Sequence, residues 1–517
     1  MIKNYKWLFL VALTFTACSS EDDPVADANS SDGLPLTAGT ANFSKFVALG
    51  NSLTAGFSDN ALFIEGQKGS YPNLMAQKFA LVGGGEFKVP YMNDNVGGLL
   101  LGGTPIQGTR LFFNGTAPVN VSGVPSTEVT NVLTGPFNNM GIPGAKSFHL
   151  LANGYGNAAG VLTGQANPYY VRFASSPTSN VLADALAQNP TFFSLWIGNN
   201  DVLAYATSGG SGVNQAGNTN PATYGSNDIT DPNVFASVYT TLVDGLTTNG
   251  AKGVVANIPD VTAVPFFTTV PTNPIPGLPA ANAGQLNLLF GAVNQITTAI
   301  GQPNRFQTLV ADDGNAATVE NNPLLIQDES LVDLSAAITN ALTPVLGPTT
   351  ATFVGGLYGR ARHARNTAGS RDYILLSARG VIGTTTTSAP APFNTVGVSF
   401  PMQDNTTLTA AEAAEVKTAT TAFNNSIAAI ASSKGLAFVD ANTLLNQVAT
   451  TGISRDGFTV RSTYVTGGGF SLDGVHPSPR GYGLIANEFL KAINTTYGSN
   501  FKGYNLGDFR ILFPASL

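Results

Sequence analysis

In FVALGNSLTAGFSDN, residues 46–60, a short apolar run from Phe46 to Leu49 ends at Gly50 and gives way at once to Asn51-Ser52-Leu53. The run has the look of a buried strand, and the small residues after it suit a tight turn into a helix. Two readings of Ser52 follow. Its hydroxyl can cap the helix by accepting a backbone N–H two or three residues on. Alternatively, Ser52 stands at the carboxyl edge of a parallel sheet, where open α/β folds bind their ligands.

Composition narrows the class of protein. The chain has 517 residues, 43% of them hydrophobic, which is ample for a packed core. Only 11% are charged, while Gly and Pro number 57 and 30, so the surface is neutral and rich in turns. A formal charge of −7 leaves no basic surplus to displace counterions, which argues against nucleic acid as a partner.

At the amino terminus, Lys3 and Lys6 precede an apolar run from Trp7 to Phe15 that is too short for a stable bilayer span. It leads into FTACSSEDD, where Cys18 is the chain's only cysteine. This pattern is similar to a bacterial lipoprotein signal: residues 1–17 are removed and lipid is attached at Cys18, with Phe15 where leucine is usual. An ordinary secretory signal with a chance cysteine is the alternative. Residues 18–42, polar and punctuated by Pro and Gly, read as a flexible tether. The acidic Glu21-Asp22-Asp23 is similar to a surface-export signal of some Gram-negative lineages; a solvated charge run is the plain reading. The expectation is an outer-membrane lipoprotein held to the membrane by lipid on Cys18.

Further apolar runs at 45–49, 191–197, 253–258 and 436–440 read as strands of a parallel sheet. Residues 410–434 place Val416, Ala419, Phe423, Ile427 and Ile430 at helical spacing, with Gly435 as a stop. Residues 483–494 form another amphipathic segment. Alternating strands and helices predict an α/β layer architecture. Residues 92–135 and 205–232 read as long loops. Residues 262–408 read as an insertion or cap subdomain between core segments 43–261 and 409–517, with one helix at 283–300 and a strand within 372–384.

Few residues can do acid–base chemistry near neutral pH. The histidines are His149, His363 and His476, too few for a His-built metal site, and the lone cysteine removes a thiolate zinc site. His476 lies in SLDGVHPSPRGYG, where a turn at Gly474 can bring Asp473 against the imidazole to orient it. Pro477 keeps His476 out of a helix, and Ser478-Pro479 suit a helix start. An Asp-Gly turn with a surface histidine is the alternative. His149 suits packing or capping. His363, among Arg360, Arg362 and Arg365, suits an anion site or a surface, with the arginines depressing its pKa. In LWIGNNDVL, Asn200 could donate to an oxyanion or serve in a turn; in NNMGIPGAKS, Gly144 could offer its N–H. Ser52 is not in a Gly-x-Ser-x-Gly elbow, because Thr54 takes the last glycine's place, and no Lys-Ser/Thr follows Gly56 to make a P-loop.

In chain order these pieces are Gly-Asn-Ser-Leu (50–53), Gly144, Gly-x-Asn-Asp (198–201) and Asp-x-x-His-Pro (473–477). The set resembles the SGNH/GDSL hydrolases, named for block residues Ser, Gly, Asn and His. The resemblance implies a three-layer α/β/α flavodoxin-like core with a parallel sheet. It implies Ser52 as nucleophile, His476 as base and Asp473 as orienting acid. Ser52 N–H, Gly144 N–H and the Asn200 side chain would form the oxyanion hole. No cofactor or metal is implied. The substrate would be an ester of a lipid or an acylated glycan; a polysaccharide deacetylase lies within the same class. A non-catalytic surface binding or adhesion lipoprotein on the same fold is the alternative. Two departures stand out: Asn51 replaces the family's usual Asp, and the long separation of Ser52 from His476 requires the 262–408 insertion to loop out, cap the site or form a subdomain.

Overall fold

The computed structural model describes residues 27–315 and 317–517. Its centre is a parallel sheet of five strands: β1 (Phe46–Gly50), β2 (Asn139–Gly141), β3 (Phe192–Trp196), β4 (Lys252–Ala256) and β5 (Ala437–Val439). In space they run β5-β4-β3-β1-β2, every pair parallel, with Phe46 opposite Phe192 and Ala48 opposite both Ser194 and Asn139. Chain order thus reverses beside β1, the topological switch where open α/β sheets place ligands.

Helices cover both faces. On one, Val47, Leu49, Phe193, Leu195 and Val255 pack on α4 (Pro232–Thr247) and α7 (Ala410–Ser433). On the other, Phe46, Ala48, Phe192, Val254 and Ala437 meet α2 (Tyr71–Ala80) and α9 (Pro479–Tyr497). Side chains alternate across a strand, so burial on both faces requires the near-continuous apolar runs seen in the sequence. Ends are capped as the residues suggest. Thr409 and Glu412 form a capping box at the start of α7, and Gly435 takes φ +60° just past its end. The Ser478 side chain accepts Gly481 N–H at the start of α9. No helix among the described residues is long and apolar enough to cross a membrane.

Several expectations need correction. β2 was not anticipated, because Asn-Met-Gly is too short and too polar to announce a strand. Residues 92–135 hold two small hairpins, Leu99–Leu101 with Thr104–Gln107 and Leu111–Phe113 with Pro118–Asn120. Residues 27–42 of the expected tether lie along the domain. Ser31 N–H donates to Asn500 O, Thr37 N–H to the Asn500 side chain and Thr40 N–H to Tyr497 O, while Leu36 and Ala38 pack on the core. The rest of that segment, with the signal and Cys18, lies outside the described residues. Within 372–384 only Tyr373–Ile374 is strand.

The 262–408 segment builds its own apolar clusters. Leu286, Phe290 and Val293 of α5 (Ala280–Ala299) pack on Ile338, Val354 and Tyr358 of α6 (Ser335–Tyr358). Sequence reasoning missed α6, which carries Pro344 and Pro348 and breaks its helical path at Gly347, φ +73°. The segment's roots share the main core through Val264, Phe267, Leu375 and Leu408.

Candidate active site

β1 stops where a side chain no longer fits. A Cβ on Gly50 would lie 2.1 Å from Thr54 Oγ1 and 2.4 Å from the Trp196 carbonyl oxygen, so only glycine lets the chain turn this closely over β3. Asn51 then caps α1 (Ser52–Ala55), its side chain accepting Leu53 N–H at 3.0 Å. Capping therefore falls to Asn51, not Ser52. Ser52 is the first helical residue, and its hydroxyl is left for other partners.

That hydroxyl lies 2.9 Å from His476 Nε2. His476 Nδ1 lies 2.9 Å from Asp473 Oδ2. The tight turn through Gly474 brings Val475 and His476 N–H onto Asp473 Oδ1, both at 2.8 Å, and Asn60 N–H donates to Oδ2 at 3.0 Å. Burial opposes charge on Asp473, but the His476 imidazole and these N–H donors outweigh it and bring its pKa down to about 2. An ionised Asp473 places the imidazole proton on Nδ1 and leaves Nε2 to accept from Ser52 O–H.

The sheet order explains why distant blocks meet. Ser52 follows β1, Gly144 follows β2 and Asn200 opens α3 (Asn200–Thr207) after β3; β1 lies between the other two strands. Hydrogen bonds tie the blocks together. Asn51 Nδ2 donates to Asn199 Oδ1 at 3.3 Å, and Asn200 Nδ2 donates to Ala145 O at 2.9 Å. Asp201, fully buried, accepts Ser147 N–H and Oγ–H at 2.8 and 2.7 Å. Asn200 Nδ2 keeps a second hydrogen. Gly144 takes φ +82°, and neither its N–H nor that of Ser52 has an acceptor among the described residues.

Sequence reasoning missed the turn that supports Asp473. Asp59 and Asn60 both adopt left-handed backbone, φ +51° and +64°. Asp59 Oδ1 accepts Leu472 N–H at 2.9 Å, and Asp59 N–H donates to Ser471 Oγ at 3.0 Å. Burial raises the Asp59 pKa to about 7; the Leu472 N–H opposes this and Asp473 adds to it. Phe57 lies against the His476 ring, centroids 4.6 Å apart. Asp59 was in view in the opening stretch, but only the fold shows that it meets residues 471–473.

The other histidines stand apart from this group. His149 Nδ1 accepts Lys146 N–H at 3.0 Å and the ring stacks on Tyr155; burial, aided by Lys146, lowers its pKa to about 4. His363 corrects an expectation. It is buried in a short strand, its Nδ1 accepting Gln307 N–H, and burial rather than the neighbouring arginines lowers its pKa to about 4. Arg362 is itself buried between Asp328 and Asp372 at 2.6 and 2.5 Å, so its charge is met within the protein.

Ser52, Asn200 and His476 open onto a pocket of about 830 Å³, its open mouth included. Its walls are mostly aliphatic: Leu203, Val261, Val264, Leu444 and Leu445 of α8 (Ala441–Ala449), Val448 and Leu484. The arrangement sets a hydroxyl in hydrogen-bond reach of an imidazole beside N–H groups that have no acceptor among the described residues, next to an apolar cleft. In comparisons with known proteins, no family model, curated protein or solved structure matched this chain.

Proposed function

We propose that this protein is a serine ester hydrolase of the SGNH/GDSL type, built on a flavodoxin-like core and working through an acyl-enzyme. The observation that carries the reading is the chain of contacts Ser52 Oγ–His476 Nε2 and His476 Nδ1–Asp473 Oδ2, each 2.9 Å, at the mouth of an apolar pocket. In this reading Ser52 Oγ attacks the ester carbonyl carbon as His476 Nε2 takes its proton. Ionised Asp473 stabilises the imidazolium. Negative charge on the carbonyl oxygen is met by Ser52 N–H, Gly144 N–H and the second Asn200 Nδ2 hydrogen. His476 protonates the departing alkoxide, then takes a proton from the water that attacks the acyl-enzyme, and returns it to Ser52 Oγ as the acyl–oxygen bond breaks, releasing the acid.

The aliphatic pocket supports a substrate with an apolar acyl chain, carried by a lipid or by an acylated glycan. Placement at the outer membrane through lipid on Cys18 is proposed from the sequence motif alone.

Fluorophosphonate labelling of the purified protein tests the assignment. Wild type is expected to label at Ser52; Ser52→Ala should not label, and His476→Ala should label much more slowly. A folded wild type that neither labels nor turns over p-nitrophenyl esters, from acetate to laurate, would favour the binding-module reading.

A further inference from the structure

Away from the active site, three carboxylates from separate parts of the chain converge. Glu329 lies in the turn after the strand Leu325–Gln327, Asp404 opens the short 3-10 turn Asp404–Thr406, and Glu412 lies in the first turn of α7. One oxygen of each lies within 4.8 Å of the others. Two of these residues belong to the 262–408 segment and one to a core helix.

Helix capping accounts for only half of the Glu412 carboxylate. Its Oε2 accepts Thr409 N–H at 2.7 Å and the Thr409 hydroxyl at 2.9 Å. Glu412 is 6% exposed, yet its Oε1 has no hydrogen-bond partner among the described residues, and the same holds for buried Asp404 Oδ1. The Gly209-Gly210 loop after α3 closes over these groups. A Cβ on Gly210 would lie 2.0 Å from Glu412 Oε1, and one on Gly209 would lie 2.4 Å from Asp404 O. While all three are ionised these carboxylates only accept, so they cannot satisfy one another. Buried oxygens of this kind need protons or a cation.

We propose that Glu329, Asp404 and Glu412 form a Ca²⁺ site that fastens the 262–408 segment to the sheet domain. Oxygen-only donors select a hard cation. Three carboxylates from three segments suit the adaptable coordination of Ca²⁺ better than that of Mg²⁺, which keeps several waters and takes one or two carboxylates. The scarcity of His and Cys bears on transition-metal sites and leaves this donor set untouched. The proposal is independent of the ester-hydrolase reading.

The test is calorimetric titration with CaCl₂ of the full chain, stripped with EDTA and dialysed, alongside thermal unfolding at matched ionic strength. One Ca²⁺ should bind, with a saturable rise in Tm of about 2–3 °C at a hundredfold excess over Kd for a chain of this size. Glu412→Gln keeps an acceptor for Thr409 N–H and so keeps the cap, while Glu329→Gln changes an exposed side chain; both should abolish the saturable rise. Asp313→Asn, in the separate exposed group Asp312, Asp313 and Glu320, should leave it intact. No binding by wild type, an equal response in Glu412→Gln and Glu329→Gln, or loss confined to Asp313→Asn would each overturn the proposal.

Discussion

Replacing Asp473 with Asn exchanges one oxygen for an NH₂ group at the point where the imidazole is held. Asp473 Oδ1 accepts Val475 and His476 N–H, and an Asn Oδ1 can keep both bonds. Those bonds aim the new NH₂ at His476 Nδ1, where Oδ2 stood. Nδ1 must then accept, the ring proton moves to Nε2, and Nε2 can no longer take the Ser52 proton. Loss of the correct tautomer should lower kcat by ~10⁴, equivalent to ~5.5 kcal/mol in the barrier.

The same substitution has a separate signature in stability. The folded pKa of Asp473, about 2, lies below the ordinary aspartate value of 3.8. Ionised Asp473 therefore contributes roughly 2–3 kcal/mol that is fully present above pH ~4 and is lost as pH falls through the folded value. Asp473→Asn removes that dependence, so urea midpoints between pH 5 and 2 should fall less steeply than in wild type. Turnover of p-nitrophenyl butyrate measures the first effect and urea unfolding the second. A folded Asp473→Asn protein retaining more than a tenth of wild-type kcat would refute the assigned role. An unchanged acid limb would refute the electrostatic account alone.

Asn200→Ala removes one of the proposed oxyanion donors and should lower kcat by ~10²–10³ with little change in KM, measured on the same ester. Leu444→Trp narrows the pocket at a half-buried wall and should shift the kcat/KM optimum across the p-nitrophenyl series toward shorter acyl chains while acetate turnover persists. Gly50→Ala places a methyl group 2.1 Å from Thr54 Oγ1 and should destabilise the fold by about 1–3 kcal/mol, seen as a lower urea midpoint.

How much of this was legible in the sequence depended on how local each cause was. β1, β3, β4 and β5 announced themselves because burial on both faces of a parallel sheet forces apolar runs, α7 because its apolar residues recur at helical spacing before Gly435, and α9 because Ser478-Pro479 marks its start. β2 escaped because its three residues pair with β1 only through tertiary placement, and α6 because Pro344 and Pro348 contradict local helix rules that packing on α5 overrides. The 27–42 stretch looked like linker by composition; its order comes from backbone donors that meet acceptors around Tyr497–Asn500, at the far end of the chain.

Proximity of the site blocks follows from topology more than from spacing. Because chain order reverses beside β1, the turns after β2, β1 and β3 lie side by side, so Gly144, Ser52 and Asn200 share one edge despite their sequence separations. His476 arrives by a different route: the loop bearing Asp473-Gly474-Val475-His476 leads directly into α9, which packs on the sheet face below Ser52. Displacing α9 would carry His476 away from Ser52 without touching either residue. This ties the geometry of the hydroxyl–imidazole pair to burial of Tyr482, Phe489 and Ile493, none of which carries any chemistry of its own. The Asp59-Asn60 turn supplies the second restraint, holding Asp473 from the β1 side, so the imidazole is fixed between two segments that only the fold brings together.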